Sequence, residues 1–199
     1  MEFPRRRSIS DTHGEAFRYV EEHTGRTFAK VMPGNFYVTT SKELIATTLG
    51  SCIAVCLRDT DAGVFGMNHY LLPKRPSNQE PRPADSPNDD NRYGEQAMEA
   101  LIAGMIKCGA RQECLESKIF GGGRVLGLSE SVGLLNANFA NEFLLQSGIP
   151  ILAADVGGTA ARKIILDPGT GQVRVLKLAN RAREKIVSAE KQLIASTTP

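Results

Sequence analysis

Cys52 stands behind two small residues in the run Leu49-Gly50-Ser51-Cys52, and His69 follows it across a stretch that reads as a β-hairpin. A thiol with an ordinary pKa of ~8.5 is only a few per cent thiolate at neutral pH, and a neighbouring imidazole raises that fraction through an ion pair. The same imidazole can hand its proton to a leaving amine. Small residues before a nucleophile keep its approach open and let backbone N–H groups near Ser51 and Cys52 point at a reacting carbonyl oxygen. Taken singly, each residue has a plainer reading: Cys52 as a small core residue, His69 as a buried, hydrogen-bonded histidine. Placed together on one hairpin, they predict attack of a cysteine on a carbonyl carbon with an amine departing.

Such a pair needs a third group to hold the imidazole. Thr47 and Thr48 lie just upstream of Cys52, and either hydroxyl could serve; as strand residues both also have an ordinary explanation. Other chemistry is less well supported. Cys52-x-x-x-Cys56 and Cys108-x5-Cys114 lack the C-x2-C spacing of structural zinc sites, and His13, His23 and His69 are not spaced as a helical ligand pair. Gly121-Gly122-Gly123 with Gly127 is followed by neither Lys-Ser/Thr nor an acidic residue at the distance a nucleotide loop requires. These glycines are expected to allow close backbone packing beside the cleft, and Asp155-Val156-Gly157-Gly158 is expected to be a turn.

The chain that must position these residues has 199 of them, enough for one domain with extensions. Apolar residues make up 41% and charged residues 23%, so a real core can form. A net charge of +2, with basic residues scattered among acids, excludes a nucleic-acid binder. No apolar run approaches the ~20 residues of a membrane span, and Arg5-Arg6-Arg7 leads into polar sequence rather than a signal, which points to the cytoplasm. Four cysteines in such a chain suit one reactive thiol among inert ones better than a disulfide framework.

Residues 1–30 read as a polar, loosely ordered extension. Phe36 and Val38, then Leu44 and Ile45, suggest short strands around Ser41-Lys42. Leu49 to Arg58 alternates Ile53, Val55 and Leu57 with Cys52, Ala54 and Cys56, a buried strand with small residues on one face. The turn 59–63 returns the chain along Val64 to Leu72. Residues 73–92 hold five prolines among polar residues and predict an exposed loop. Glu95–Cys108 and Val132–Gln146 carry a helical period, each stopped by glycine. Leu115–Phe120 and Ile149–Ala154 read as strands, Arg162–Asp167 and Gln172–Leu178 as a hairpin, and Arg181–Ile194 as a charged helix on the surface. Hairpins with helices between them predict an α+β fold, an α/β sandwich of mixed, largely antiparallel sheets with packed helices.

Four blocks in order, LGSCIAVCLRD (49–59), HYLLP (69–73), KIFGGG (118–123) and DVGGTAARKIILDPGTGQVRV (155–175), resemble the CheD family of chemoreceptor glutamine deamidases over about residues 33–178. The resemblance implies a sandwich of helices packed on sheets, with chemistry convergent on that of papain-type enzymes. It implies hydrolysis of glutamine side-chain amides on methyl-accepting chemotaxis receptors, giving glutamate and ammonia with no metal or organic cofactor, and a CheC-type phosphatase as a candidate partner. The family nucleophile falls on Cys52 and its histidine on His69. Its threonine falls at Ala46 in the spacing of some relatives and at Thr47 in that of others; Thr47 is favoured and Thr48 stays open. The domain plan is then a polar extension at 1–30, a deamidase domain at 31–178 containing the 73–92 loop, and a charged tail at 179–199. Two other classes remain: a non-catalytic module that regulates a phosphatase, and a cysteine peptidase.

Overall fold

A computed structural model describes residues 12–76, 89–124 and 130–178, together with residue 186 and residues 188–190 and 192–194 near the C-terminus. Most of the proline-rich loop lies outside the described residues, as do residues 1–11. Strands β1 (Thr12–Gly14), β4 (Asn35–Thr39), β7 (Val64–His69), β6 (Ile53–Asp59), β8 (Glu116–Gly121) and β9 (Ile151–Val156) form a six-stranded sheet in that order. A five-stranded sheet runs β11 (Gln172–Lys177), β10 (Arg162–Asp167), β5 (Leu44–Leu49), β3 (Thr27–Lys30), β2 (Phe17–Val20). Neighbours are antiparallel except β8–β9 and β3–β5. Helices α1 (Gly94–Lys107) and α2 (Glu130–Gln146) pack on the six-stranded sheet, α1 over β4 and β7, α2 over β6 and β8. The result is an α+β sandwich of three layers.

Period-two alternation on β6 divides the core. Ile53, Val55 and Leu57 face the helices and meet Leu101 and Met105, while Cys52, Ala54 and Cys56 face the other sheet and meet Ile45, Leu49 and Ile164. Each fully buried aliphatic side chain contributes about 1.5–3 kcal/mol, so a slip of one residue in β6 would be costly. Helix α1 ends as its glycine signals: Gly109, at φ 100°, sends its N–H to Ile106 O, and Ala110 sends its own to Met105 O.

The loosely ordered arm expected up to residue 30 is not what residues 12–30 form. They supply β1, β2 and β3, and β3 joins the sheet beside β5. Edge strands carry a weak periodic signal, and pairing with partners distant in sequence decides them. No helix among the described residues is long and apolar enough to cross a membrane.

Candidate active site

Cys52 closes the bend that joins β5 to β6, and the bend is held by its carbonyls. Gly122 N–H donates to Cys52 O at 2.8 Å and Gly123 N–H to Gly50 O at 2.7 Å. Gly121 lies so close, at φ 115°, that a Cβ there would sit 2.1 Å from Cys52 O; the glycine run is the backbone support its sequence suggested. From α2, Asn136 Nδ2 donates to Ser51 O at 3.2 Å and Leu71 O at 2.8 Å, tying the cysteine bend to the end of the histidine strand.

His69 ends β7. The β6–β7 register carries on through the Ile53–Tyr70 bridge, which sets Ala54 opposite His69 and Cys52 on its diagonal. Between them the ladder is completed by a side chain, with Asn68 Oδ1 accepting from Val55 N–H at 2.8 Å. Thr47 Oγ1 lies 2.8 Å from His69 Nδ1 and 2.8 Å from Val31 O. A carbonyl only accepts, so the single Thr47 hydroxyl proton goes to Val31, and Nδ1–H must donate to Thr47. This leaves Nε2, buried and without a partner among the described residues, carrying the free lone pair. Thr47 shares its strand face with Ile45 and Leu49, towards the other sheet; Ala46 and Leu44 face away, and Thr48 lines a groove with Phe17, Tyr19 and Lys163.

A residue that sequence reasoning passed over completes the site. Glu190, on the charged C-terminal segment expected at the surface, is buried. Its Oε1 accepts from Gly50 N–H at 2.7 Å and its Oε2 from Ser51 N–H and Ser51 Oγ, both at 2.9 Å. A Cβ on Gly50 would lie 2.6 Å from that carboxylate, so the glycine makes room for it. The backbone donors that the carboxylate engages are those of Gly50 and Ser51. A ring nitrogen of His69, the Cys52 sulfur and a Glu190 oxygen lie within 4.8 Å of one another. Three such groups could approach a cation, but the carboxylate is turned into a cradle of N–H and O–H donors, whose partial positive charge suits an anion.

Electrostatics in this state oppose the ion pair that the sequence suggested. Burial, and then the Glu190 carboxylate beside it, push the Cys52 thiol well above its ordinary value. Burial alone pulls His69 down to about 3. With Cys52 0% and His69 1% exposed, the pair rests as neutral thiol and neutral imidazole, because burial denies separated charges their solvation. Cys56 is pushed up to about 12 by burial, which marks it as inert.

A family model described as CheD chemotactic sensory transduction matches residues 71–177. The chain is 40% identical to a probable chemoreceptor glutamine deamidase CheD of Hydrogenovibrio crunogenus, over 88% of this chain and 90% of that protein. A protein of the same name from Saccharophagus degradans is 40% identical over 90% of this chain and 84% of its own, and one from Herminiimonas arsenicoxydans 42% over 86% and 84%. The chain belongs to the CheD family. The matched segment starts just after His69, so Cys52, His69 and Thr47 lie outside it. Asn136 and Glu190 had no local signal: each is a polar residue on a helix, and only its contacts with the Cys52 bend distinguish it.

Proposed function

We propose that this CheD protein is a cytoplasmic chemoreceptor glutamine deamidase that works through a thioester on Cys52, with His69 as acid and base and Thr47 as the residue that positions His69. The observation that carries the reading is the tautomer forced on His69: its Nδ1–H is spent on Thr47, its Nε2 is left with a free lone pair, and a ring nitrogen lies within 4.8 Å of the Cys52 sulfur. Nε2 takes the thiol proton as sulfur attacks the amide carbon of a receptor glutamine. N–H groups of the 50–51 bend stabilise the oxyanion. The C–N bond breaks and ammonia leaves with the proton from His69. Water, deprotonated by His69, then cleaves the thioester to release glutamate and the free thiol. The new charge on a receptor helix repels acidic neighbours three and four residues away, which can bias signalling.

A CheC-type phosphatase is the partner that family membership brings forward, and co-purification with such a phosphatase tests it. The reaction itself is tested by incubating a glutamine-bearing receptor fragment with the protein and following intact mass. Amide loss is expected, abolished in Cys52→Ala and kept in Cys56→Ala. Cleavage of the fragment's backbone would make the protein a peptidase, and binding without any change in mass would make it a regulatory module.

A further inference from the structure

We propose that the C-terminal helix of this chain occupies the site of its own substrate, with Glu190 standing where the side chain of a reacted receptor glutamine ends. This rests on the deamidase reading above. The product of that reaction is a glutamate on a protein helix beside Cys52, and that is what the tail presents: a glutamate carboxylate on helical backbone, against the thiol and the imidazole. Both carboxylate oxygens are gripped by the bend that precedes the nucleophile, through Gly50 N–H, Ser51 N–H and Ser51 Oγ. A glutamine amide offers the same cradle one oxygen of the same kind.

The tail is seated like a ligand helix in a groove. Ile186 packs beside Ala161, and Leu193 and Ile194 pack against the core between the sheets. Positions 186, 190, 193 and 194 fall at the i, i+4, i+7 and i+8 spacing of one helix face, so the apolar anchors and the carboxylate arrive together. With Cys52 0% and Glu190 3% exposed, no substrate side chain reaches the sulfur until this helix leaves. The seat is therefore both a brake on the enzyme and an outline of its receptor-helix docking surface.

Replacing Glu190 by glutamine converts the occupant into a substrate. In the full-length Glu190→Gln protein, Cys52 sulfur bonds to the side-chain amide carbon, the C–N bond breaks, and nitrogen leaves as ammonia carrying the thiol proton relayed by His69. Water then cleaves the thioester to the acid. Intact mass should drift with time to that of the parent chain, and the drift should vanish when Cys52→Ala is added. In the full-length Glu190→Ala protein, iodoacetamide should label Cys52 on the order of tenfold faster, and kcat/KM on a receptor fragment should rise through a lower KM, because the competent state is no longer a minor one. An amide that stays intact in Glu190→Gln, while the same protein deamidates the receptor fragment, would show that Glu190 does not lie where the substrate amide lies. Unchanged labelling together with a fall in kcat in Glu190→Ala would make Glu190 a support of the bend and overturn the proposal. Faster labelling with no deamidation by any variant would keep the occupancy and sink the deamidase reading instead.

Discussion

Glu43 and Glu190 are both nearly inaccessible, 8% and 3% exposed, yet they are held in different ways. Glu43 sits after the β4–β5 turn, where one oxygen, Oε1, accepts from Tyr37 Oη at 2.7 Å, Arg18 at 2.9 Å, Thr39 Oγ1 at 3.0 Å and Ser41 Oγ at 3.1 Å. Burial alone would raise its pKa, but bonds from Tyr37, Arg18 and Thr39, and the Arg18 charge, outweigh burial and hold it below its ordinary value. Among the described residues Glu190 accepts only from neutral donors, Gly50 N–H, Ser51 N–H and Ser51 Oγ. Its carboxylate raises the thiol it touches. The first glutamate closes a turn with its charge answered on the spot. The second is met, among the described residues, by neutral donors alone, in the cradle that we propose takes a substrate oxygen.

The comparison breaks most visibly in stability. Glu43→Ala leaves buried hydroxyls of Tyr37 and Thr39 without their acceptor and should cost about 3 kcal/mol in urea unfolding. Glu190→Ala frees donors that water can reach once the tail lifts, and should cost about 1 kcal/mol or less. Equal losses would make the two glutamates structural equivalents.

The pH dependence of unfolding separates the same two regions. His69 is kept neutral by burial, with a folded value of about 3 against an ordinary 6.5. Its contribution is therefore complete above pH 6.5 and is lost as pH falls from there towards 3, by at most about 1.4 kcal/mol per pH unit. Glu43 is also depressed, from 4.5, so its contribution is complete above that value and is lost only as pH falls through its lower folded value. Urea midpoints measured between roughly pH 7 and pH 5, where His13, also depressed by burial and by Lys107, adds a smaller slope of the same sign, should lose most of their slope in His69→Gln and keep it in Glu43→Gln. A slope that survives undiminished in His69→Gln assigns it to another group.

Within the site the expected effects are smaller. Thr47→Val removes the only acceptor described for His69 Nδ1–H and should slow receptor deamidation by roughly ten- to thirty-fold, about 1–2 kcal/mol. Thr48→Val changes a residue on the far strand face, and its rate should stay within about twofold of the parent. The reverse ranking would mean that the orientation of β5 differs in the working enzyme.

The residue pattern alone determined the hairpin that brings Cys52 to His69, the two helices and the glycine stops, because alternation, a 3.6-residue period and turn chemistry are written in adjacent residues. It also put Thr47 and Thr48 on opposite faces of one strand. Which face looks at His69 depends on how the five-stranded sheet stacks on the six-stranded one, and no window of sequence contains that packing. The strands at 12–30 were hidden for a related reason: an edge strand is made by its partner, and β3 lies beside β5 in a parallel pair that local patterning does not encode. Glu190 is the extreme case. Its contacts lie 140 and 139 residues away, at Gly50 and Ser51, and nothing in a charged helix distinguishes the one carboxylate that is drawn inside. Only the closed chain decides that, because the donors that hold it exist as a cradle only once the bend before Cys52 is pinned by Gly122, Gly123 and Asn136.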